Sequence, residues 1–199
     1  MAIKFKEIKQ YISRTVRISI CFLDGHYDNY TMISDIDEQY DDLYVYGVGM
    51  TQVEFPQDVY TRPFVSLGQV SYKEWMLGFG MEIVLDDEPR EITRQDMSIL
   101  RFRDLRPYIQ SGMNFSVVFK ENWSSESYKW KAEIPEKYDD LYVFGIGMED
   151  MPKQLFKSRY PEFSEPQSSK NIELSIIGKQ MVLVLATTPR IDIGVQDDI

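Results

Sequence analysis

The stretch that decides the fold occurs twice in this chain. Residues 40–50 read YDDLYVYGVGM and residues 138–148 read YDDLYVFGIGM, so only the pairs Tyr46/Phe144 and Val48/Ile146 differ. Both differences are conservative: one removes only a hydroxyl group from an aromatic ring, and the other exchanges two β-branched aliphatic side chains. Agreement over so many consecutive positions predicts an internal duplication.

The agreement continues on both sides of this stretch, in the same order along each half. The matching segments are residues 5–9 with 102–106, 18–22 with 115–119, and 81–85 with 181–185. The repeat is far longer than the roughly 20–50 residues of a solenoid repeat, so a whole domain or half-domain is duplicated. We therefore predict two tandem units, residues 1–97 and residues 98–199, with the boundary near residues 92–101.

Each unit is predicted to open with a short amphipathic helix. Phe5, Ile8 and Ile12 follow the spacing of one helical face, and the second unit repeats the pattern. Pro107 predicts a shorter or more irregular helix there, because proline removes a backbone donor and clashes with the preceding turn.

The remaining patterns of the unit predict strands. Residues 16–22 and 113–119 alternate between apolar and polar side chains, which is typical of a half-buried strand. Residues 30–33 and 128–131 are predicted as second strands, and residues 43–50 as an apolar strand in which Gly47 and Gly49 indicate a bulge or a close backbone approach. Residues 72–85 are predicted as one strand or as a hairpin bent at residues 78–80. The fold class is therefore α+β: two tandem copies of one mostly antiparallel β unit, each opened by a short amphipathic helix.

Composition limits the possible functions. Of 199 residues, 43% are hydrophobic, and the chain has one cysteine and one histidine. A disulfide framework within the chain is excluded, and a metal site built from clustered His and Cys is not expected. The first residues lack the apolar core of a signal peptide and no apolar run is long enough to span a bilayer, so we expect a cytoplasmic protein. Gly47-Val48-Gly49 lacks the third glycine of a dinucleotide-binding motif, and no cofactor is predicted.

The recurring carboxylate pairs, Asp41-Asp42 and Asp139-Asp140, admit two interpretations. They could bind a divalent cation or perform acid–base chemistry between the repeats, which would make the protein an enzyme. Neighbouring side chains in an extended segment point to opposite faces, however, and Asp is common in turns that precede strands. We favour the turn. His26 is predicted to lie on the surface, and Cys21 to be a small packed residue.

The layout of charge is the most unusual feature of the sequence. Residues 1–100 contain 17 acidic and 9 basic residues, whereas the rest of the chain contains 15 and 13. No Lys or Arg occurs between Arg17 and Arg62, and tyrosines lie among the carboxylates of that interval. Two interpretations stay open: an ordinary solvated face with some tyrosines buried in the sheet, or a surface that replaces the phosphates of a nucleic acid on a basic groove, with the tyrosines supplying contact area. The predicted partner-binding residues are Asp24, Asp28, Tyr30, Asp35, Asp37, Glu38, Asp41 and Asp42.

Residues 40–50, together with residues 17–22 (RISICF), resemble small acidic proteins carried by phages and conjugative elements of Firmicutes. The resemblance implies an origin in a mobile element. Small acidic proteins of such elements are often inhibitors of host defence, including anti-CRISPR proteins that mimic nucleic acid.

The leading hypothesis is a non-enzymatic binding protein that blocks a basic nucleic-acid-binding site on a host defence protein, such as a nuclease. An acidic chain is not expected to bind nucleic acid or an anionic membrane directly. The alternative is a structural or self-associating module, for example a homodimer. An enzyme with a carboxylate site between the repeats is the least favoured alternative.

Overall fold

The computed structural model describes residues 2–14, 16–55, 76–89, 99–159, 161 and 178–190. Each half of the chain forms a four-stranded mixed sheet, and the two sheets have the same strand order. In each sheet two of the three strand pairings are antiparallel and one is parallel. The predicted α+β class and the duplication of one unit are thus confirmed.

Unit 1 has its four strands in the order β2-β1-β4-β3. Its elements are α1 (Phe5–Lys9), β1 (Ile18–Phe22), β2 (Tyr27–Tyr30), β3 (Tyr44–Phe55) and β4 (Met76–Asp86), with 3₁₀ turns at Ile33–Asp35 and Glu38–Tyr40.

Unit 2 repeats this order as β6-β5-β8-β7. Its elements are α2 (Phe102–Leu105), β5 (Asn114–Phe119), β6 (Ser124–Tyr128), β7 (Tyr142–Asp150), α3 (Lys153–Arg159) and β8 (Lys179–Ala186), with 3₁₀ turns at Arg106–Tyr108, Lys131–Glu133 and Glu136–Tyr138.

Several element predictions need correction. The second strands lie earlier than expected, because Ile33 and Lys131 begin 3₁₀ turns and the hairpin strands β2 and β6 occupy the preceding polar residues. Of the alternatives for residues 72–85, the single strand is confirmed and the hairpin is wrong: β4 continues through residues 78–80, which pair with β3, while residues 72–75 lie outside the described residues. The helix α3 was not anticipated. The predicted boundary region falls largely outside the described residues, and the division into residues 1–97 and 98–199 stays a prediction.

The opening helices begin in the same way in both units. The Glu7 carboxylate accepts the backbone N–H of Lys4 at 2.7 Å, and the Asp104 carboxylate accepts that of Arg101 at 3.1 Å. An acidic side chain at the third helical position satisfies a backbone donor that has no partner within the helix. As predicted, Pro107 ends the second helix early: α2 gives way to a 3₁₀ turn that contains it.

The glycines of the repeated stretch perform both predicted roles. Each strand has a bulge, between Val45 and Gly47 in unit 1 and at the equivalent place in unit 2. Beyond the bulge, the backbone of the other unit approaches closely: Ile109 pairs with Val48, and Ile12 pairs with Ile146.

These contacts between the units are reciprocal. The Gln110 N–H donates to the Val48 carbonyl at 2.9 Å, and in the other direction the Ser13 N–H donates to the Ile146 carbonyl at 2.8 Å. A segment after the helix of each unit therefore pairs with the glycine-containing strand of the other. Such reciprocity requires a pseudo-two-fold relation, because a translation would make only one of the two contacts.

One continuous core supports this arrangement. The inner faces of β1 and β4 and the opening helix contribute fully buried side chains in unit 1, and their equivalents do so in unit 2. A single cluster of buried side chains includes residues of both units. Burial of this apolar area is the main favourable contribution to folding.

Candidate interaction surface

The repeated Asp-Asp pair is held by the opening helix of its own unit. Lys9 Nζ lies 2.8 Å from Asp41 Oδ1, and both Lys4 and Lys6 bind Asp42 Oδ1, at 3.0 and 2.9 Å. Hydrogen bonds from Lys6 and Lys4 lower the pKa of Asp42 to about 2. Two of the eight predicted partner-binding residues thus already have cationic partners within the unit.

Unit 2 has the same arrangement with arginines in place of lysines. Arg106 Nε lies 2.7 Å from Asp139 Oδ1, and Arg103 binds Asp140 at 2.8 Å. Arg106 also donates to the backbone carbonyls of Ile134 and Pro135. These contacts attach the turn before the third strand to the helix. They give a structural reason for the recurrence of the pair, in agreement with the turn interpretation.

Asp28 accepts a hydrogen bond within a group of tyrosines. The Tyr30 hydroxyl donates to that of Tyr40 at 3.4 Å, and Tyr40 donates to Asp28 Oδ2 at 2.8 Å. The hydrogen bond with Tyr30, partial burial and the Asp28 carboxylate together raise the pKa of Tyr40. In unit 2, Glu126 accepts from both equivalent tyrosines. Tyr30 and Asp28 are therefore brought together, with the Asp28 side chain at the surface.

The 3₁₀ turns present Asp35, Asp37 and Glu38 to solvent. Asp35 accepts from the Thr31 hydroxyl at 2.8 Å, and Asp37 accepts the Gln39 N–H at 2.9 Å, which caps the second turn. Neither these three carboxylates nor Asp28 forms an ion pair with a Lys or Arg of the described residues. Four of the predicted residues thus form no ion pair with Lys or Arg within the described part of the chain, and we call them the acidic surface: Asp28, Asp35, Asp37 and Glu38.

Asp24 lies apart from these residues, at the tip of the β1–β2 hairpin. Its carboxylate accepts from His26 Nδ1 at 2.6 Å and from the His26 N–H at 3.1 Å. These bonds lower the pKa of Asp24. The His26 ring, exposed as predicted, stacks on Phe22 with ring centroids 4.0 Å apart. The tip therefore has a defined conformation.

The exposed apolar side chains were not singled out from the sequence. Among the described residues, every large hydrophobic side chain that is exposed lies on an edge hairpin or just after it; the set comprises Leu23, Tyr27, Met32, Trp123 and Trp130. Isolated exposed apolar residues are ordinary on protein surfaces, but here the exposed ones are concentrated on the edge hairpin of each unit. The sequence could have shown this only if the hairpins had been placed correctly.

Cys21 lies on the outer face of the unit 1 sheet. Its thiol contacts Ser19 Oγ at 3.5 Å and Glu82 Oε1 at 3.6 Å, and the Gln110 side chain of unit 2 also binds Glu82. Burial, and secondarily the negative charge of Glu82, raise the pKa of the thiol. A raised pKa disfavours the nucleophilic thiolate, in keeping with a packed residue.

Comparisons with models of protein families, with curated proteins and with solved structures give no significant match for this chain. Among the described residues, no three His, Cys, Asp or Glu side chains are grouped so that they could hold a metal ion. No helix in that part of the chain is long and apolar enough to cross a membrane.

Proposed function

We propose that this protein is a non-enzymatic binding protein whose acidic surface docks onto a basic, nucleic-acid-binding site of another protein. The sequence resemblance suggests that the gene belongs to a mobile element and that the target is a defence protein of its host. The carboxylates would then occupy the positions that the phosphates of a nucleic acid take on that target. The protein acts from the cytoplasm and needs no cofactor.

The observation that carries the proposal is the combination of charge and apolar exposure on one hairpin. Tyr27 and Met32 are exposed at 57% and 48%, and the four carboxylates of the acidic surface lie on the same strand and the turns that follow it. Protein interfaces combine apolar anchors with a polar rim. Negative charge on the rim accelerates association with a basic partner and selects against acidic ones.

The equivalent surface of unit 2 supports the same conclusion by contrast. Glu126, Glu133 and Glu136 stand where unit 1 has Asp28, Asp35 and Glu38. Lysines are interleaved with them, at positions 129, 131 and 137, where unit 1 has uncharged residues. Both units can fold with this geometry, so folding does not require that unit 1 lack cations here. The lack of cations instead gives unit 1 a one-sided charge suited to a basic partner.

The test compares two matched charge reversals, Asp35→Lys with Glu38→Lys in unit 1 and Glu133→Lys with Glu136→Lys in unit 2. Tagged full-length chains are used to isolate partners from host lysate at about 0.15 M salt, where the Debye length is about 8 Å. We expect the unit 1 reversal to weaken capture of a basic protein by about 10- to 1000-fold, mainly through slower association. The unit 2 reversal should have little effect.

Two further measurements distinguish phosphate mimicry from nonspecific binding. Duplex DNA should displace the captured protein, and the affinity should fall steeply as salt is raised. Circular dichroism should show that both reversed variants keep the fold. Equal capture by both variants, or binding that neither DNA nor salt weakens, would show that the acidity of unit 1 only aids solubility.

A further inference from the structure

Unit 1 has an open hollow at the end of its sheet, beside the hairpin tip. The hollow has a volume of about 400 Å³, and Phe22, Leu43 and Leu85 form its apolar part. Leu23 stands at its edge with 59% of its surface exposed. The polar part of the lining consists of the His26 ring and the carboxylates of Asp24, Asp86 and Asp87.

The hollow's carboxylates come from two turns that are distant in sequence. A side-chain hydrogen bond with Asp87 and the N–H of Glu88 lower the pKa of Asp86, while the negative charge of Asp24 acts in the opposite direction. Asp24, Asp86 and Asp87 line the same hollow, so the hairpin tip lies close to the turn after β4. An apolar pocket beside negative charge favours a ligand that is apolar at its centre and cationic at its edge.

The hairpin tip of unit 2 has a different arrangement. The Lys120 N–H donates to the Leu185 carbonyl at 2.9 Å, and the Glu121 carboxylate accepts from the Thr187 N–H and hydroxyl at 2.5 and 2.7 Å. These bonds join the tip to the end of β8. In unit 1 the tip closes on itself instead, through the bonds from His26 to Asp24.

Trp123 is the conspicuous residue of the unit 2 tip. Its φ angle is 54°, in the left-handed region, and it is the only described residue other than glycine with a positive φ. In the tip of unit 1 the residue with positive φ is Gly25. A non-glycine residue in this conformation costs roughly 1–2 kcal/mol, and such outliers concentrate at functional sites. The indole is 56% exposed, and Lys120 Nζ lies 4.2 Å from the ring centroid.

We propose that the hollow of unit 1 receives the Trp123–Lys120 tip of a second copy of this chain. The indole would bury its exposed surface against Leu23 and Leu43, beside the stacked rings of Phe22 and His26. The Lys120 ammonium would then stand among the carboxylates at the hollow. Buried tryptophans at the centre of an interface are common energetic anchors, and opposite charges around them fix the orientation.

The association joins two different surfaces, so it is head to tail. Each added copy leaves one hollow and one tip unoccupied, and the assembly extends or closes into a ring. The contact is small, and small interfaces are weak. We therefore expect the chains to associate at protein concentrations between the micromolar range and about 1 mM.

The experiment measures molar mass by sedimentation velocity of the full-length chain across this range at about 0.15 M salt. The wild type should increase in mass with concentration. The tip variant Trp123→Gly keeps the turn, because glycine favours positive φ, and should remain monomeric. The hollow variant Asp86→Lys with Asp87→Lys should remain monomeric too. Trp130→Ala, which removes an exposed tryptophan outside the tip, should associate like the wild type.

Mixing the two monomeric variants gives the decisive result. The Trp123→Gly chain retains a hollow and the Asp86→Lys, Asp87→Lys chain retains a tip, so a mixture should form heterodimers and stop at two chains. A wild type that stays monomeric, a mixture that stays monomeric, or loss of association in Trp130→Ala would each overturn the inference. The inference does not depend on the proposed function, because the acidic surface is unchanged in all these variants.

Discussion

Gly49 offers the sharpest test of the contact between the units. A Cβ atom placed there would lie 2.1 Å from Oε1 and 2.2 Å from Cδ of Gln110. The obstructing atoms are the flexible end of a side chain, so Gly49→Ala should displace the Gln110 amide instead of moving the backbone. The amide would then lose its hydrogen bond to Glu82.

The magnitude follows from two opposing contributions. Alanine is favoured over glycine within a strand by roughly 0.5–1 kcal/mol. A hydrogen bond to a charged group contributes about 1.5–3 kcal/mol. Gly49→Ala should therefore lower the free energy of unfolding by about 1–2 kcal/mol.

The pseudo-symmetric position supplies a matched control. A Cβ at Gly147 would lie 3.6 Å from the Ser13 Cβ, which is an ordinary contact. Gly147→Ala should therefore be neutral or stabilising by up to about 1 kcal/mol. Urea unfolding followed by circular dichroism measures both variants. In a Gln110→Ala background, Gly49→Ala should lose its destabilising effect. Equal stability of the two alanine variants, or a loss that persists without Gln110, would refute the reasoning.

Three further predictions concern the helix anchors and the thiol. Arg106→Met should lower the free energy of unfolding by about 2–3 kcal/mol and Lys9→Met by about 1–2 kcal/mol, because Arg106 binds three acceptors and Lys9 binds two. Urea unfolding measures both variants, and equal losses of stability would contradict this prediction. The pKa of Asp42 is lowered to about 2 from 3.8, so the contribution of this carboxylate to stability is complete above pH 3.8 and disappears as the pH falls through about 2. The difference in Tm between the wild type and Asp42→Asn should therefore vanish between these two pH values. A Tm difference that stays constant over this range would contradict the prediction. Because burial raises the pKa of Cys21 above 9.0, alkylation by iodoacetamide near neutral pH should be slower than for an unburied thiol, and a fast reaction would show that the thiol is not protected.

Apolar patterns in the sequence predicted the central strands well. Residues 16–22 and 113–119 alternate clearly, because one face of β1 and β5 is buried and the other is more polar. The edge strands β2 and β6 were misplaced, since YDNY and SSESY bury little and show no such alternation. Residues 78–80 suggested a bend through their glycines, but pairing along the whole length of β3 keeps β4 extended. The sequence of residues 78–80 alone gives no information about this pairing with a distant strand.

The candidate surface was also only partly predictable, because it depends on contacts between residues that are far apart in the sequence. The sequence shows that Asp41 and Asp42 recur, but their lysine partners lie more than thirty residues away in the chain. Only the fold reveals that these two carboxylates have cationic partners, whereas Asp35, Asp37 and Glu38 form no ion pair with any Lys or Arg that the structure describes. The glycines correctly indicated a close approach, yet which backbone approaches them depends on the pseudo-two-fold relation.

The reciprocal pairing of the units also bears on how the chain folds while it is being made. Ile12 pairs with Ile146, which is 134 positions later. At about 5–20 residues per second, a ribosome needs roughly 7–27 s to synthesise the intervening chain. Throughout that interval the segment after α1 lacks its native partner, and the strand β3 lacks the segment that covers Val48 until Ile109 has been synthesised. The first unit emerges with an unpaired strand edge, so the nascent chain should be most vulnerable to misassociation before β7 leaves the exit tunnel.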